Sequence, residues 1–340
     1  MPPKFISPEE HQKLIKRCEP KFGDILLTRI GTLAKSKIVD WSDEFSIYVS
    51  LALLSSIKIN NGFLNQYINT EIYQKEFLKR SLLLAVPQKI NLKDLNETII
   101  KYPSKNEQEK ISKFFNAIDK KIELLEKKHN YYQNFKKYLM QQIFAHKLRF
   151  DFTDELKEYK LKDLLTVKSS SISINQLEEN TGKYPLYGAS GFLKNIDFYE
   201  MDRDYISIVK DGSGVGNLSY HEKNSSIVNT SQYLLPKKNF DINFLYYLLQ
   251  TLNLLKYVNG SSIPHIYFKD YCIEKVHVPT LVEQEKIGNL FVNTDKILDN
   301  INKNIKSTQE FKKGLLQQMF VYMRIFFLIS VRKFVASNIS

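Results

Sequence analysis

The sequence predicts an α+β protein in which two mixed α/β modules are each followed by a long helix, and the two long helices pair as a coiled coil. The first observation is an internal repeat. Residues 103–144 and 279–320 align without a gap at a constant offset of 176, and 18 of the 42 positions are identical. The second is that each copy follows a stretch of short apolar runs and glycine-containing turns. Two copies are too few for a solenoid, so they indicate two-fold pseudosymmetry.

The repeated segments are predicted to be helices because apolar residues recur in alternating steps of four and three. In the first copy this stripe comprises Ile111, Phe115, Ile118, Ile122, Leu125, His129 and Tyr132, and it resumes at Leu139 and Ile143. Such steps are typical of a coiled-coil seam, which one helix cannot bury alone. The two copies are therefore expected to pack on each other. An antiparallel pair places the modules at opposite ends, whereas the parallel alternative crowds them together.

The two modules show a similar order of elements. In the second, a strand at 205–209 leads into a glycine-rich turn at 211–216, followed by a strand at 226–235 and an apolar helix at 244–254. The first module has a matching strand at 23–29 and a helix near Phe63. Residues 151–180 have no counterpart in the first module, which is therefore expected to be incomplete at its start. The predicted divisions are a first module 1–102, a first helical segment 103–150, a second module 151–278, a second helical segment 279–320 and an atypical tail 321–340.

Composition places the chain among ordinary intracellular proteins. Its 340 residues are 43% hydrophobic and 25% charged, which suffices for two or three domains with hydrophobic cores. Cys18 and Cys272 cannot form a disulfide framework, so a reducing cytoplasm is expected. The apolar run at 325–331 is shorter than the roughly 20 residues of a membrane-spanning helix, and no membrane partner is expected.

The formal net charge of +12 is compatible with a polyanionic partner such as nucleic acid. Much of the excess lies on the repeat helices, where a solvated helix surface explains it equally well. Charge alone therefore leaves both interpretations open.

Motifs for catalysis are missing from the sequence. There is no methyltransferase Asn/Asp-Pro-Pro-aromatic motif, no P-loop, no nuclease cluster of carboxylates and lysine, no nucleophile elbow and no metal-ligand spacing. The turn at 211–216 lacks the Gly-Lys-Ser/Thr ending of a P-loop. It is either a tight hairpin turn or a turn that presents amides and small polar groups to a ligand. We predict a binding scaffold without catalytic or metal-binding residues and without a cofactor of its own.

Candidate DNA-contacting residues lie in polar loops, because hydroxyl, amide, imidazole and ammonium groups suit phosphates and base edges. In the second module they are Lys183, Tyr187, Ser190, Lys210, Ser213, Asn217, His221, Ser261 and His265. In the first module they are Arg29, Thr32 and Lys35. The alternative is a purely structural role, in which the same loops are turns with aromatic packing.

A second group of candidates lies at the start of each repeat copy. Glu107 and Glu283 are explained by the favourable interaction of a carboxylate with a helix N-terminus. Gln108 and Gln284 have no such reason to be present in both copies. We therefore predict that these four residues form partner-binding sites.

The chain resembles the specificity (S) subunit of bacterial type I restriction–modification enzymes. The resemblance rests on the sequence Pro-x-x-x-Glu-Gln-Glu-Lys-Ile at 103–111 and again at 279–287, each opening a long helix that ends in Leu-x-Gln-Gln-x-Phe. It also rests on the segments 23–31 and 184–191, and it covers residues 5 to 320 approximately.

This resemblance implies two target-recognition domains held by two conserved helices that pair antiparallel. Each domain would read one half of a split double-stranded DNA sequence from the major groove. Two methyltransferase subunits, which bind S-adenosylmethionine, would dock on the helices and methylate adenine. Motor-nuclease subunits, which use ATP and magnesium, would join them and cleave DNA. The S subunit itself would have no active site.

Two alternatives remain at this stage. One is a truncated, inactive coiled-coil interaction protein that assembles with methyltransferase subunits without reading two DNA sites. The other is an enzyme that acts on DNA directly. The tail at 321–340 has no family counterpart, and its deletion is expected to leave assembly of the complex unchanged. The DNA sequence that would be recognised does not follow from these residues.

Overall fold

The computed structural model describes residues 5–55, 58–150, 155–177, 180–326 and 330–333, with side chains to residue 320. The chain divides into two compact units, residues 1–127 with 302–340, and residues 128–301. Up to the first long helix, the elements are α1 Pro8–Ile15, β1 Ile25–Thr28, β2 Ser36–Ile38, β3 Leu51–Leu54, α2 Asn61–Ile68, α3 Glu71–Lys79, α4 Leu92–Asn96, β4 Ile99–Tyr102 and α5 Lys105–Phe144. They continue as β5 Lys157–Lys160, α6 Leu161–Leu164, β6 Leu165–Ser169, β7 Tyr184–Gly188, β8 Gly191–Ile196, β9 Tyr205–Val209, β10 Leu218–His221, β11 Ser226–Ile227, β12 Ser231–Pro236, α7 Ile242–Thr251, α8 Phe268–Tyr271, β13 Lys275–Val278, α9 Leu281–Phe326 and β14 Ser330–Lys333.

The first unit has an antiparallel sheet in the order β2-β1-β3, in which Leu26 lies opposite Lys37 and Leu53. Its core joins this sheet to α2 and α3, and includes Phe115 of α5 and Phe320 of α9. The centroids of these two rings are 6.3 Å apart. Four residues further along α5, the Asp119 carboxylate accepts a hydrogen bond from Lys312, which precedes Phe320 in α9. Moving forward along α5 thus means moving backward along α9, so the helices are antiparallel in this unit.

The second unit has a four-stranded antiparallel sheet in the order β10-β9-β12-β6 and a smaller sheet in the order β11-β7-β8. The strand predicted at 226–235 is divided into β11 and β12. The core packs α7 against both long helices and includes Phe291. Phe144 stacks on Phe291 with a centroid distance of 5.8 Å, and Lys136 donates to Asp295 at 2.5 Å. The helices are antiparallel here as well, which confirms the predicted coiled coil.

These helix contacts explain several identities in the repeat. Asp119 and Asp295 are equivalent positions, and so are Lys136 and Lys312. Each copy therefore supplies the aspartate of one ion pair and the lysine of the other. The second oxygen of each aspartate accepts from the module helix of its own unit, from Gln66 in the first and from Tyr247 in the second. In each unit, one aspartate carboxylate on a long helix thus binds both the module helix and the other long helix.

Short strands flank the long helices. β13, which leads into α9, pairs antiparallel with β5, and β4, which leads into α5, pairs antiparallel with β14. The second helix continues to Phe326, past the predicted end at residue 320, and the tail contributes β14. The tail-deletion result and the incomplete start of the first module stay predictions. Within the described residues, no helix is both long and apolar enough to cross a membrane.

Candidate nucleic-acid interface

Two loops of the second module are joined by backbone hydrogen bonds. The Gly212 amide donates to the Pro264 carbonyl, and the Ile266 amide donates to the Lys210 carbonyl, both at 2.8 Å. The turn between β9 and β10 needs glycine, because Gly212, Gly214 and Gly216 all have φ between 83° and 87°, a region that other residues rarely adopt. Five predicted residues come together at this loop junction: Lys210, Ser213, Asn217, Ser261 and His265.

The side chains of the loop junction offer donors and acceptors to solvent. Ser213, Asn217 and Ser261 are exposed. His265 is partly exposed, with its ring centroid 5.1 Å from that of Tyr267. Lys210 is mostly buried, and its Nζ lies 3.5 Å from the Asp211 carboxylate. Small hydroxyl and amide groups on loops held by backbone hydrogen bonds are suited to base-edge and phosphate contacts.

A second group of predicted residues lies on the hairpin formed by β7 and β8. Ser190 is exposed in the turn, next to Gly191 with φ 109°. Lys183 is exposed, with its Nζ 5.2 Å from the centre of the Tyr184 ring. Tyr187 is partly exposed and meets Phe192 edge to face at 6.2 Å. Sequence reasoning missed Phe192, whose exposed ring follows directly after the glycine turn and adds an aromatic surface to this hairpin.

The structure does not support direct contact of His221 with DNA, because this residue is buried. Only 8% of its surface is exposed, and its Nε2 is 2.9 Å from the Ser207 hydroxyl. The ring lies 4.3 Å from that of Tyr187 and 5.0 Å from that of Tyr205. Burial lowers the pKa of His221 to about 4. The imidazole is therefore neutral near pH 7 and packs inside the module.

We expect the buried His221 to make the second unit less stable in acid. Because its pKa is lowered in the folded state, the unfolded chain binds the proton first, so stability is lost as the pH falls from about 6.5 toward 4. The slope for one such group approaches about 1.4 kcal/mol per pH unit. The free energy of unfolding of His221→Gln should depend less on pH over this range. Equal slopes for the parent and the variant would contradict this assignment.

The first module repeats the loop junction of the second. The Ile90 amide donates to the Arg29 carbonyl at 2.9 Å, and the Gly31 amide donates to the Gln88 carbonyl at 2.8 Å. Arg29 thus occupies the place of Lys210. The prediction that Arg29 reads DNA is not supported, because its guanidinium donates to the carbonyl oxygens of Val49 and Ile90, and burial lowers its pKa. Thr32 and Lys35 are exposed in the loop between β1 and β2.

The loops at the two junctions differ in chemistry. Where the second module has Ser261 and Ser262, the first has an apolar loop, residues 82–87, in which Leu84 is 100% and Val86 99% exposed. Leu82 and Lys89 close this loop by reciprocal backbone contacts, as Asn259 and His265 do in the second module. Aliphatic side chains cannot form hydrogen bonds to base edges. They can contact thymine methyl groups or unstacked bases.

Three of the four predicted partner-binding residues are occupied inside the chain. Gln108 accepts from the Asn60 amide at 2.8 Å and donates to the Pro103 carbonyl at 2.9 Å. Gln284 makes the same two bonds, to the Asp241 amide and the Pro279 carbonyl, at 3.0 and 2.9 Å. Each glutamine therefore holds the N-cap residue of its module helix. Both glutamines are buried, so they serve this packing rather than a partner surface.

The two glutamates of this motif have different environments. Glu283 is 1% exposed, and Arg149 donates to both of its carboxylate oxygens, at 3.1 and 2.6 Å. Direct contact of Glu283 with a partner is therefore not supported either. Glu107 is partly exposed at the start of α5 and remains a candidate. Across the described residues, no group of three or more His, Cys, Asp and Glu side chains is placed to hold a metal ion.

A family model matches most of the chain. The family model described as type I restriction modification DNA specificity domain matches residues 4–131 and 153–309. A protein named as a type I specificity subunit from Mycoplasma pneumoniae is 26% identical over 193 residues, which cover 54% of this chain and 62% of the relative. One from Mycoplasma genitalium is 26% identical over 263 residues, which cover 73% of this chain and 68% of the relative. The alignment thus spans less than two thirds of the first relative.

A solved structure shows the same fold. The crystal structure of the S subunit of a type I restriction-modification system from M. genitalium superposes with a TM-score of 0.65 at 21% sequence identity. The match covers 87% of this chain and 82% of that structure. The α+β architecture with long paired helices is therefore shared with a known protein.

Proposed function

Since this chain belongs to the type I restriction modification DNA specificity family, we propose that it is the non-catalytic DNA-recognition subunit of a type I restriction–modification complex. In this role its two modules read the two halves of a split sequence in double-stranded DNA. Two methyltransferase subunits supply S-adenosylmethionine-dependent adenine methylation. Motor-nuclease subunits supply cleavage with ATP and magnesium.

The main support is the duplication of the contacts that join each module to the long helices. Each unit has a module helix whose N-cap is held by a buried glutamine and whose side is fastened to an aspartate of a long helix. Each also has a loop junction with the same backbone bonds, but with different side chains. A constant frame that carries variable loops is what two readers of different DNA half-sites require.

Methylome sequencing of a host with and without the gene tests this function. We expect a methylated adenine motif in two parts, separated by unread base pairs, that disappears when the gene is deleted. An unchanged methylome would contradict the proposed role. A motif comprising one half alone would instead favour the reading in which only one module contacts DNA.

We expect the exposed polar residues of the loop junction to determine sequence preference. Asn217→Ala or Ser261→Ala should weaken binding of the assembled complex to its own site by about 1–3 kcal/mol at one base position and leave non-specific binding unchanged. Lys183→Ala, which removes a charge rather than a base contact, should weaken binding to all sequences alike. Competition binding with a panel of single-base variants distinguishes these patterns. The same preference in the parent and in both junction variants would show that this loop does not read DNA.

The apolar loop at 82–87 favours one alternative. At this loop the first module presents leucine and valine, whereas the second presents serine. The first module therefore has few side-chain hydrogen-bond donors there. The apolar loop is compatible with a coiled-coil interaction protein that assembles with methyltransferase subunits but reads DNA with one module. Footprinting separates the two possibilities, because two protected half-sites are expected for two readers and one for a single reader.

A further inference from the structure

Several identities in the repeat are explained by contacts inside the chain, whereas others are exposed in both copies, and one of these exposed pairs is aromatic. Five of the repeated residues, each with its copy, hold the modules and the helices together: Gln108, Phe115, Asp119, Lys136 and Phe144. Phe135 and its copy Phe311 are identical yet 41% and 59% exposed. A single exposed phenylalanine is unremarkable. More than half of the positions differ between the two copies. An exposed phenylalanine that is present in both therefore indicates a function outside the helix pairing.

A second identity lies on the same face as each phenylalanine. Gln142 follows Phe135 by seven residues, and Gln318 follows Phe311 by seven, which places each pair on one side of its helix. Gln318 is exposed and Gln142 is partly exposed. Lys128 lies seven residues before Phe135 on the first face, where the second copy has Asn304. Each helix therefore presents an aromatic anchor and an amide, and the first also has a lysine at its border.

The face on the first helix is larger than its copy. Tyr131 and Tyr138 lie one turn before and after Phe135 and are exposed. The rings of Tyr131 and Phe135 are nearly parallel, with an interplanar angle of 3° and a centroid distance of 6.3 Å. Ser307 and Gly314 occupy the equivalent positions around Phe311. The second face thus retains the anchor and loses the surrounding aromatic area.

We propose that Phe135 and Phe311 each anchor one copy of the same protein partner, and that the Phe135 face binds it more tightly. This inference rests on the proposed function, in which the partner is the methyltransferase subunit. Two equivalent anchors fit two copies of one partner, whose docking surface needs an apolar pocket for the ring and a hydrogen-bonding group for the amide. An acidic group beside the pocket would pair with Lys128 at the first face. Aromatic anchors in pockets dominate the affinity of such interfaces. The difference between the faces predicts stepwise assembly, with the first copy bound at Phe135.

Native mass spectrometry of the full-length chain with the methyltransferase subunit of its own system tests this inference. The parent should bind two copies in two distinguishable steps. Phe311→Ser should leave a 1:1 complex at the parent's tighter affinity. Phe135→Ser should weaken the tighter step about 10- to 100-fold, and the double variant should lose assembly. Phe114→Ser, which removes an exposed phenylalanine that is not repeated, should assemble as the parent does.

The outcomes separate this inference from the function on which it rests. If the parent chain binds no methyltransferase subunit, the proposed function fails and the anchors fail with it. If the parent binds two copies and the double variant does the same with unchanged affinity, the function stands and the inference is overturned. Thermal unfolding of each free variant must match the parent, since the replaced rings are exposed.

Discussion

Replacing Arg149 by methionine should lower the free energy of unfolding of the second unit by about 3–5 kcal/mol, because it leaves a buried carboxylate without its cation. Glu283 is 1% exposed, and both of its carboxylate oxygens accept from the Arg149 guanidinium. The position of Glu283 in the first turn of α9 offsets part of this cost through the helix dipole. Chemical denaturation of the full-length chain, followed with a probe in the second unit, measures the change.

The geometry around Arg149 explains why this pair forms. α5 ends in a turn in which His146 has φ 58°, and the Lys147 amide donates to the Gln142 carbonyl. This arrangement is a Schellman motif, with histidine in the left-handed position that glycine usually takes. The turn redirects the chain, and Arg149 then meets the start of α9. The ion pair therefore ties the end of one long helix to the beginning of the other within the second unit.

Two variants control for this prediction. Arg149→Met combined with Glu283→Gln removes both charges, so it should recover much of the stability that Arg149→Met alone loses. Glu107→Gln changes the equivalent residue of the first repeat copy, which is partly exposed, and should cost less than about 0.5 kcal/mol. If Arg149→Met and Glu107→Gln cost the same, the buried pair contributes nothing beyond an exposed charge.

The sequence predicted the helix pairing because periodicity and repetition are visible in the order of residues alone. Steps of three and four identify the seam, and the offset of 176 identifies the equivalent residues. It did not identify what Asp119 and Lys136 do, because identity between copies does not reveal which residue pairs with which. The antiparallel register provides that information by placing Asp119 beside Lys312 and Lys136 beside Asp295.

The burial of two predicted site residues depends on contacts between residues far apart in sequence. His221 lies opposite Tyr205 in the pairing of β10 with β9, and that pairing turns its ring into the module. The Arg29 guanidinium donates to the carbonyl oxygens of Val49 and Ile90, which are 20 and 61 residues away in sequence. The loop junction was predictable as separate polar loops. Its assembly was not, because the backbone bonds that join the loops link residues far apart in sequence.

Gln284→Leu should destabilise the second unit by about 2–4 kcal/mol, because a buried carbonyl and a partly buried amide lose their partners, and a fully buried group left unpaired costs about 1–3 kcal/mol. The Asp241 amide would lose its acceptor, and the Pro279 carbonyl would lose its donor. Leucine has a similar volume, so the loss reports hydrogen bonding rather than a cavity. Hydrogen exchange gives a local measurement, since the Asp241 amide at the N-cap of α7 should exchange faster in the variant.

The repeat supplies a matched test of this role. Gln108→Leu removes the same two hydrogen bonds from the first unit, so it should show a loss of similar size, with faster exchange at the Asn60 amide. Gln141→Leu changes an exposed glutamine of α5 and should stay within about 0.5 kcal/mol of the parent. If Gln108→Leu and Gln284→Leu left stability and local exchange unchanged, the glutamines would not hold the module helices. Their presence in both copies would then again indicate a partner, because a residue retained in both copies without an internal role is best explained by contact with another molecule.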